Sequence, residues 1–156
     1  MSKSMKRVAA ALQDAGVMVK IVEMAAETRT AEQAAMAAGC TVDQIAKSII
    51  FRGTESGHVV LFITAGGNRV CPEKASAVAA QTLGKADAGL IRSETGFAIG
   101  GVAPVGHLTP VRSFLDPRLM EFTQVWAAAG TPRHIFAIAP TDLHRITGAE
   151  LADFTI

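Results

Sequence analysis

Two β-rich runs joined by a short loop constrain the fold of this chain more than any other feature. The runs cover residues 47–52 and 58–64, and the five residues between them, Gly-Thr-Glu-Ser-Gly, make a connection of hairpin length. A hairpin pairs its strands antiparallel, whereas parallel neighbours need a crossover of a dozen or more residues. Further strands predicted at 17–22, 124–128 and 134–139 exceed the number that strict alternation with helices would give. We therefore expect an α+β fold with a mixed, mainly antiparallel sheet.

Apolar residues at helical spacing predict helices around these strands, over residues 4–15, 31–38 and 72–83. Thr30 and Gln33 have the spacing of a capping box before the second helix. Pro72 suits the first turn of the third helix, and Gly84 suits its end. Residues 88–91 predict a short strand.

Length and composition bound the class of protein. The 156 residues predict one domain over 1–156, and no apolar run approaches the roughly 20 residues that span a bilayer. The two cysteines, Cys40 and Cys71, suit a reducing compartment, so we expect a cytoplasmic protein without a membrane partner. The net charge of +1 gives no global attraction to nucleic acid. The spacing of the histidines predicts no metal site, and we expect no cofactor.

A glycine-rich loop carries the first candidate for chemistry. Residues 97–107 read Phe-Ala-Ile-Gly-Gly-Val-Ala-Pro-Val-Gly-His, with neither an acid nor a nucleophile. Glycine permits sharp turns and close approach of a ligand, and Pro104 stiffens the exit of the loop. The backbone N–H groups of Gly100, Gly101 and Val102 are candidates to bind a carbonyl oxygen. The alternative is a strand end followed by a tight turn.

Lys47 carries the second candidate, because it begins the apolar run Ser-Ile-Ile-Phe. Side chains alternate along a strand, so Lys47 shares a face with Ile49 and Phe51, and Ser48 lies on the other face. If that shared face is buried, Lys47 points to a partly desolvated site where it needs a polar or anionic partner. The alternative is a strand-end lysine whose ammonium group reaches water.

The loop and the lysine together resemble the YbaK/EbsC family, the free-standing relatives of the editing domain of bacterial prolyl-tRNA synthetases. The Gly-x-x-x-Pro loop is matched from Gly100 to Pro104, and the strand lysine by Lys47. The resemblance runs from about Thr28 to Leu143 and implies a curved mixed sheet with surrounding helices. It also implies that Lys47 holds the terminal adenosine of tRNA and that the loop positions the aminoacyl ester.

The resemblance implies the candidate site residues. Lys47, Gly100 and Gly101 are the catalytic candidates. The substrate-binding candidates are Thr28, Thr30, Ser48, Val102, Ala103, Pro104 and His134. Ser48 stands where other branches of the family have threonine or asparagine, and Thr30 has its helix cap as an alternative role. The expected partner is the 3′ acceptor end of an aminoacyl-tRNA, and a synthetase partner is left open.

The first hypothesis is therefore a trans-acting deacylase that hydrolyses the ester of a mischarged small amino acid on tRNA. Such an ester is already activated, so positioning and oxyanion stabilisation suffice without a nucleophilic side chain, and the resemblance implies help from the neighbouring ribose hydroxyl. Alanine, serine, threonine and small non-protein amino acids all remain open as the substrate. The alternatives are a non-catalytic module that binds tRNA or a synthetase, and a hydrolase of small esters or amides unrelated to tRNA.

Overall fold

The structure, a computed structural model, describes residues 2–156, whose strands form two sheets. The smaller sheet contains β1 (Ile21–Glu23), β7 (His134–Ile138) and β6 (Val125–Thr131), hydrogen-bonded in that order. The larger sheet contains, in spatial order, β4 (Leu83–Lys85), β2 (Ala46–Gly53), β3 (Val59–Ala65), β5 (Arg112–Leu115) and β8 (Glu150–Leu151).

Helices cover the two sheets. They are α1 (Lys3–Asp14), α2 (Ala31–Ala38), α3 (Pro72–Ala79), α4 (Ala88–Thr95) and α5 (Pro140–Thr147), with 3-10 turns at Val42–Gln44 and Pro117–Glu121. Among residues 2–156, none of these helices has the length and apolar composition needed to span a bilayer.

The strand pairing confirms the α+β class and the mixed, mainly antiparallel sheets. β2 pairs antiparallel with both β3 and β4, and β7 pairs antiparallel with both β1 and β6. The parallel pairs are β3 with β5 and β5 with β8, which are joined through longer connections. The predicted hairpin is the centre of the larger sheet, because β2 and β3 pair along seven consecutive positions.

The two faces of β2 and β3 pack against different groups of residues. Ile49 and Phe51 pack with Phe62 and α3 in a compact cluster. Ile50 and the buried Ala46 face the larger core, which includes residues of α1, β6 and β7. This alternation is the one expected from the pleat of a strand buried on both sides.

The first half of β2 lacks a strand neighbour on one side. β4 pairs only with Phe51–Gly53, so residues 46–50 have an open edge opposite β3. Residues of α2, α4 and the glycine-rich loop, rather than another strand, surround the space beyond this edge. They do not fill that space, and a cavity remains beside the edge.

Local structure confirms one cap and corrects three predicted elements. Of the strand predicted over 17–22, only Ile21 and Val22 belong to a strand, β1. The capping box of Thr30 and Gln33 forms as predicted. The helix predicted over 72–83 ends at Ala79, because Ala80 takes a left-handed conformation (φ 58°) and Leu83 pairs with Gly53 instead. Residues 88–91, predicted as a strand, begin α4, whose first turn is capped by the side chain of Asp87.

Candidate functional site

A cavity of about 580 Å³ lies beside the open edge of β2. Its walls come from the start of α2, the first half of β2, the region from β4 to α4, the glycine-rich loop and β6. The lining residues that carry the argument are Thr28, Arg29, Lys47, Ser48, Gly100 and Trp126.

Lys47 lies in the wall of the cavity at the start of β2. Its Nζ donates a hydrogen bond of 3.0 Å to the carbonyl oxygen of Gly66, which directly follows β3. Burial lowers the pKa of Lys47 below that of an exposed lysine, while the nearby Glu32 acts in the opposite direction. The ammonium group has one protein acceptor and three protons, so it can donate further hydrogen bonds to a ligand.

The charge of the cavity wall is positive. Arg29, Lys47 and Lys85 all line it, and none of its lining residues carries a carboxylate. The guanidinium of Arg29 lies at the mouth, where Nη1 donates to the carbonyl oxygen of Ile99 at 3.3 Å and Nε donates to Glu27 at 3.0 Å. Such a concentration of cations favours an anionic ligand such as a phosphate, although the whole chain is nearly neutral.

Gly100 and Val102 present the glycine-rich loop to the cavity. Gly100 has a φ of +91°, and a Cβ there would lie 3.0 Å from the side chain of Arg29. Among residues 2–156, no group accepts a hydrogen bond from the backbone N–H of Gly100 or of Val102. These two donors are therefore available to a ligand.

Gly101, Ala103 and Pro104 support the loop rather than line the cavity. The N–H of Gly101 already donates to the carbonyl of Ala98, and a Cβ at Gly101 would lie 2.8 Å from the backbone of Thr131. Ala103 is fully buried, and its carbonyl accepts a 2.8 Å hydrogen bond from Nε2 of His107. The expected role of the Gly101 N–H as a donor to substrate is thus not supported by the geometry.

Ser48 belongs to an apolar part of the cavity wall, but its hydroxyl oxygen lies beneath the surface of that wall. Its Oγ is buried and has no hydrogen-bond partner within the part of the chain described, residues 2–156. The neighbouring wall is formed by Ala46, Ile50, Val102 and Ala127. A buried hydroxyl without a partner costs stability, so Ser48 is an unsatisfied polar group behind the surface of the cavity.

Thr28 and Thr30 both line the cavity, but their hydroxyls already have protein partners. Thr28 is buried, and its hydroxyl donates to the carbonyl of Pro132 at 2.9 Å. The Thr30 hydroxyl accepts from the backbone N–H of Gln33 at 3.1 Å, as the helix cap requires. The two threonines therefore fix the start of α2 against the turn between β6 and β7.

His134 lies away from the cavity lining. It begins β7, where its Nδ1 hydrogen-bonds with the hydroxyl of Thr131 and its Nε2 lies 3.6 Å from the carboxylate of Glu23. The structure therefore does not bring His134 together with Lys47 and the glycine-rich loop.

Several lining residues were not identified from the sequence, namely Lys85, Ile91, Trp126 and Ala128. The available signal was the run of small residues from Ala127 to Gly130, which is unusual in a strand and leaves space beside it. The other residues reach the cavity only through tertiary packing, which no local pattern encodes.

No group of three metal-binding side chains lies close together anywhere in residues 2–156. The cavity offers the ammonium group of Lys47, the guanidinium group of Arg29 and the backbone N–H donors of Gly100 and Val102. These groups can bind an ester or phosphate oxygen and orient it.

Comparison with known proteins identifies the family. Residues 25–146 match the model of the aminoacyl-tRNA editing domain, and the chain belongs to that family. The YbaK-like resemblance carried by Lys47 and the Gly100–Pro104 loop is thereby confirmed.

Individual relatives extend over most of the chain. A candidate trans-editing enzyme for prolyl-tRNA synthetase, known from its crystal structure, is 44% identical with a TM-score of 0.92, covering 100% of this chain and 99% of that one. A hypothetical protein of known structure is 25% identical with a TM-score of 0.88, covering 96% and 99%. YwhH of Bacillus subtilis (strain 168), an uncharacterised protein, is 30% identical over 123 residues, which are 79% of this chain and 78% of YwhH.

Proposed function

We propose that this chain, acting as one domain over residues 1–156, is a trans-acting deacylase that hydrolyses the ester of a mischarged small amino acid on tRNA. The observation that carries the proposal is the single cavity wall shared by Lys47, Gly100 and Val102, in a chain of the aminoacyl-tRNA editing family. The proposed compartment is the cytoplasm, where tRNA is aminoacylated, and the proposed protein partner is a synthetase that supplies the substrate.

In the proposed complex, the nucleotide end of the substrate binds beside the cations of the cavity wall. Arg29, Lys47 and Lys85 form the positive part of the wall, so the terminal adenosine and its phosphate bind there. Lys47 is the central anchor, because its ammonium is fixed by the carbonyl of Gly66 and retains protons for the ligand. Its partial burial strengthens each hydrogen bond that it makes to a phosphate or ribose oxygen.

In the proposed complex, the ester of the substrate binds at the glycine-rich loop. The free N–H groups of Gly100 and Val102 bind the carbonyl oxygen, on which negative charge develops when water attacks. The water oxygen bonds to the carbonyl carbon, the bond from that carbon to the ribose oxygen breaks, and a proton passes to that oxygen. The neighbouring ribose hydroxyl orients the water, so no nucleophilic side chain is required.

In the proposed complex, the side chain of the attached amino acid lies against the apolar part of the cavity wall. Ala46, Ile50 and Ala127 leave space for a small group. An apolar wall discriminates only weakly between amino acids of similar size. The size of the wall residues therefore sets an upper limit on the side chain that is accepted.

The proposal is tested by measuring hydrolysis of a panel of aminoacyl-tRNAs by the wild type and by Lys47→Ala. The exposed Lys74, whose ammonium pairs with Asp153 away from the cavity, provides the control Lys74→Ala. We expect one small mischarged species to be hydrolysed, with kcat/KM reduced at least about tenfold in Lys47→Ala and unchanged in the control. Binding of tRNA without hydrolysis of any species would instead indicate a non-catalytic binding module. Equal activity on free aminoacyl esters would indicate a hydrolase unrelated to tRNA.

A further inference from the structure

The glycine-rich loop is closed at its base by a residue of the N-terminal helix. Arg7, on α1, donates hydrogen bonds from Nη2 to the carbonyl of Gly96 and from Nε to the carbonyl of Gly106, the latter at 3.3 Å. These two carbonyls flank the segment 97–105. One guanidinium therefore holds the entry and the exit of the loop at a fixed separation.

Aromatic packing reinforces this closure. The guanidinium carbon of Arg7 lies 5.1 Å from the ring centre of Phe97, which is fully buried. The imidazole of His107 meets the same ring edge-on, with 5.9 Å between ring centres, and donates from Nε2 to the carbonyl of Ala103. Burial lowers the pKa of His107, so the ring is neutral near pH 7 and the proton on Nε2 is fixed by that carbonyl.

The backbone of α1 also lies directly against the loop. A Cβ at Gly96 would overlap the guanidinium of Arg7, and a Cβ at Gly106 would lie 3.0 Å from the carbonyl oxygen of Arg7. Both glycines have positive φ values, +81° and +80°. Helix α1 and the loop are thus in close contact at Gly96 and at Gly106, and neither position has room for a side chain.

We infer that Arg7 is a positioning residue for the Gly100–Pro104 loop, and that α1 is a functional part of the site. This helix precedes residues 25–146, the part of the chain that matches the editing-domain model. Arg7 does not line the cavity, so it acts on the substrate only through the loop. The kinetic part of this inference rests on the proposed deacylase function, whereas the structural part does not.

The structural part is tested by amide hydrogen exchange of the loop in the wild type, Arg7→Met and Arg7→Lys. Methionine keeps the apolar contact with Phe97 but donates no hydrogen bond, and lysine keeps the charge but not the planar fork that reaches two carbonyls. The neighbouring Lys6 is exposed, so Lys6→Met is the matched control. We expect exchange over residues 97–107 to rise about tenfold in Arg7→Met, less in Arg7→Lys, and not at all in the control. Unchanged exchange in the loop, or a rise shared equally by β2 and β3, would overturn the inference.

The kinetic part uses the same variants on the aminoacyl-tRNA that the wild type hydrolyses. Because the loop contacts the ester and the cations bind the nucleotide, Arg7→Met should lower kcat about tenfold and leave KM within about twofold of the wild type. Arg7→Lys should recover part of kcat. A wild-type kcat in Arg7→Met would contradict the inference. Absence of hydrolysis by the wild type would refute the deacylase proposal alone, since the exchange measurement still decides the role of Arg7.

Discussion

The two faces of the β2–β3 hairpin differ in how completely they are filled. On the face toward α3, Phe62 stacks on Phe114 with 5.2 Å between ring centres and meets Phe51 and Phe154 edge-on. Phe62, Phe114 and Phe154 are fully buried. Large rings in offset and edge-on contact pack closely around Phe62, so this aromatic cluster contributes stability.

Beside the open edge of β2 the neighbouring residues of the opposite face are small. Ala46 and Ser48 of β2 and Ala127 and Ala128 of the facing part of β6 line the 580 Å³ cavity, and Lys47 reaches it from the face of Phe51. The hairpin thus supports a closed aromatic cluster around Phe62 and a candidate binding site beside the open edge of β2. The size of the side chains packed at each place decides which role it has.

Removing a ring from the closed face should give the largest change in stability. Phe62→Ala should lower the free energy of unfolding by about 3–5 kcal/mol, because a buried ring is replaced by a cavity that its neighbours cannot fill. The half-buried Ile50, on the face with the cavity, provides Ile50→Val, which should cost only about 0.5–1.5 kcal/mol. Urea unfolding monitored by circular dichroism measures both values. A loss below about 2 kcal/mol in Phe62→Ala would contradict the close packing of the aromatic cluster.

Adding one methyl group to the loop should affect activity more than stability. Gly100→Ala places a Cβ 3.0 Å from Arg29 and strains a backbone with φ +91°, so the loop donors move from the position proposed for the ester. We expect kcat to fall about 100-fold, as for loss of one oxyanion donor. Gly57, in the hairpin loop, has a similar φ of +75° and open space around it. Gly57→Ala is therefore a control that strains the backbone without a steric clash and away from the cavity. Comparable kcat losses in both variants would show that general strain, not the loop, is responsible.

Removing the hydroxyl of Ser48 should have the smallest effect on stability. Its Oγ has no partner in residues 2–156, so Ser48→Ala should leave the free energy of unfolding unchanged or raise it by up to about 1 kcal/mol. Ser113→Ala is the matched control, because the buried Ser113 donates to the carbonyl of Val111 at 3.1 Å. That control should lose about 1 kcal/mol. A larger loss in Ser48→Ala than in Ser113→Ala, by thermal or urea unfolding, would show that Ser48 is satisfied within the protein.

The sequence predicted the parts of the site that depend on local patterns. Lys47 at the start of an alternating strand and Gly100 in the glycine-rich loop were both identified, and both line the cavity. The capping box of Thr30 was also predictable, because a cap involves only residues close in sequence. The hairpin of β2 and β3 was predictable for the same reason.

The remaining parts depend on contacts between residues distant in sequence. Trp126 lines the cavity because β6 packs across β2, and Arg7 reaches Gly96 and Gly106 because α1 packs on the loop. Leu83 forms β4 rather than continuing α3 because Gly53 of β2 is available to pair with it. Strand pairing with a distant residue was more favourable there than continuation of the helix. A local sequence pattern cannot show which of the two is more favourable.

The central claim is that the cavity beside β2 binds the aminoacyl-adenosine end of tRNA. Trp126 lines this cavity and is the only tryptophan of a chain without tyrosine, so its fluorescence reports on the site. The direct measurement is a fluorescence titration with adenosine carrying a small amino acid on its 3′ position through a non-hydrolysable amide. The wild type should show a saturable change, and Ala128→Leu, which fills part of the cavity, should weaken binding at least about tenfold. No change with any small amino acid, or equal affinity in the two proteins, would contradict the account.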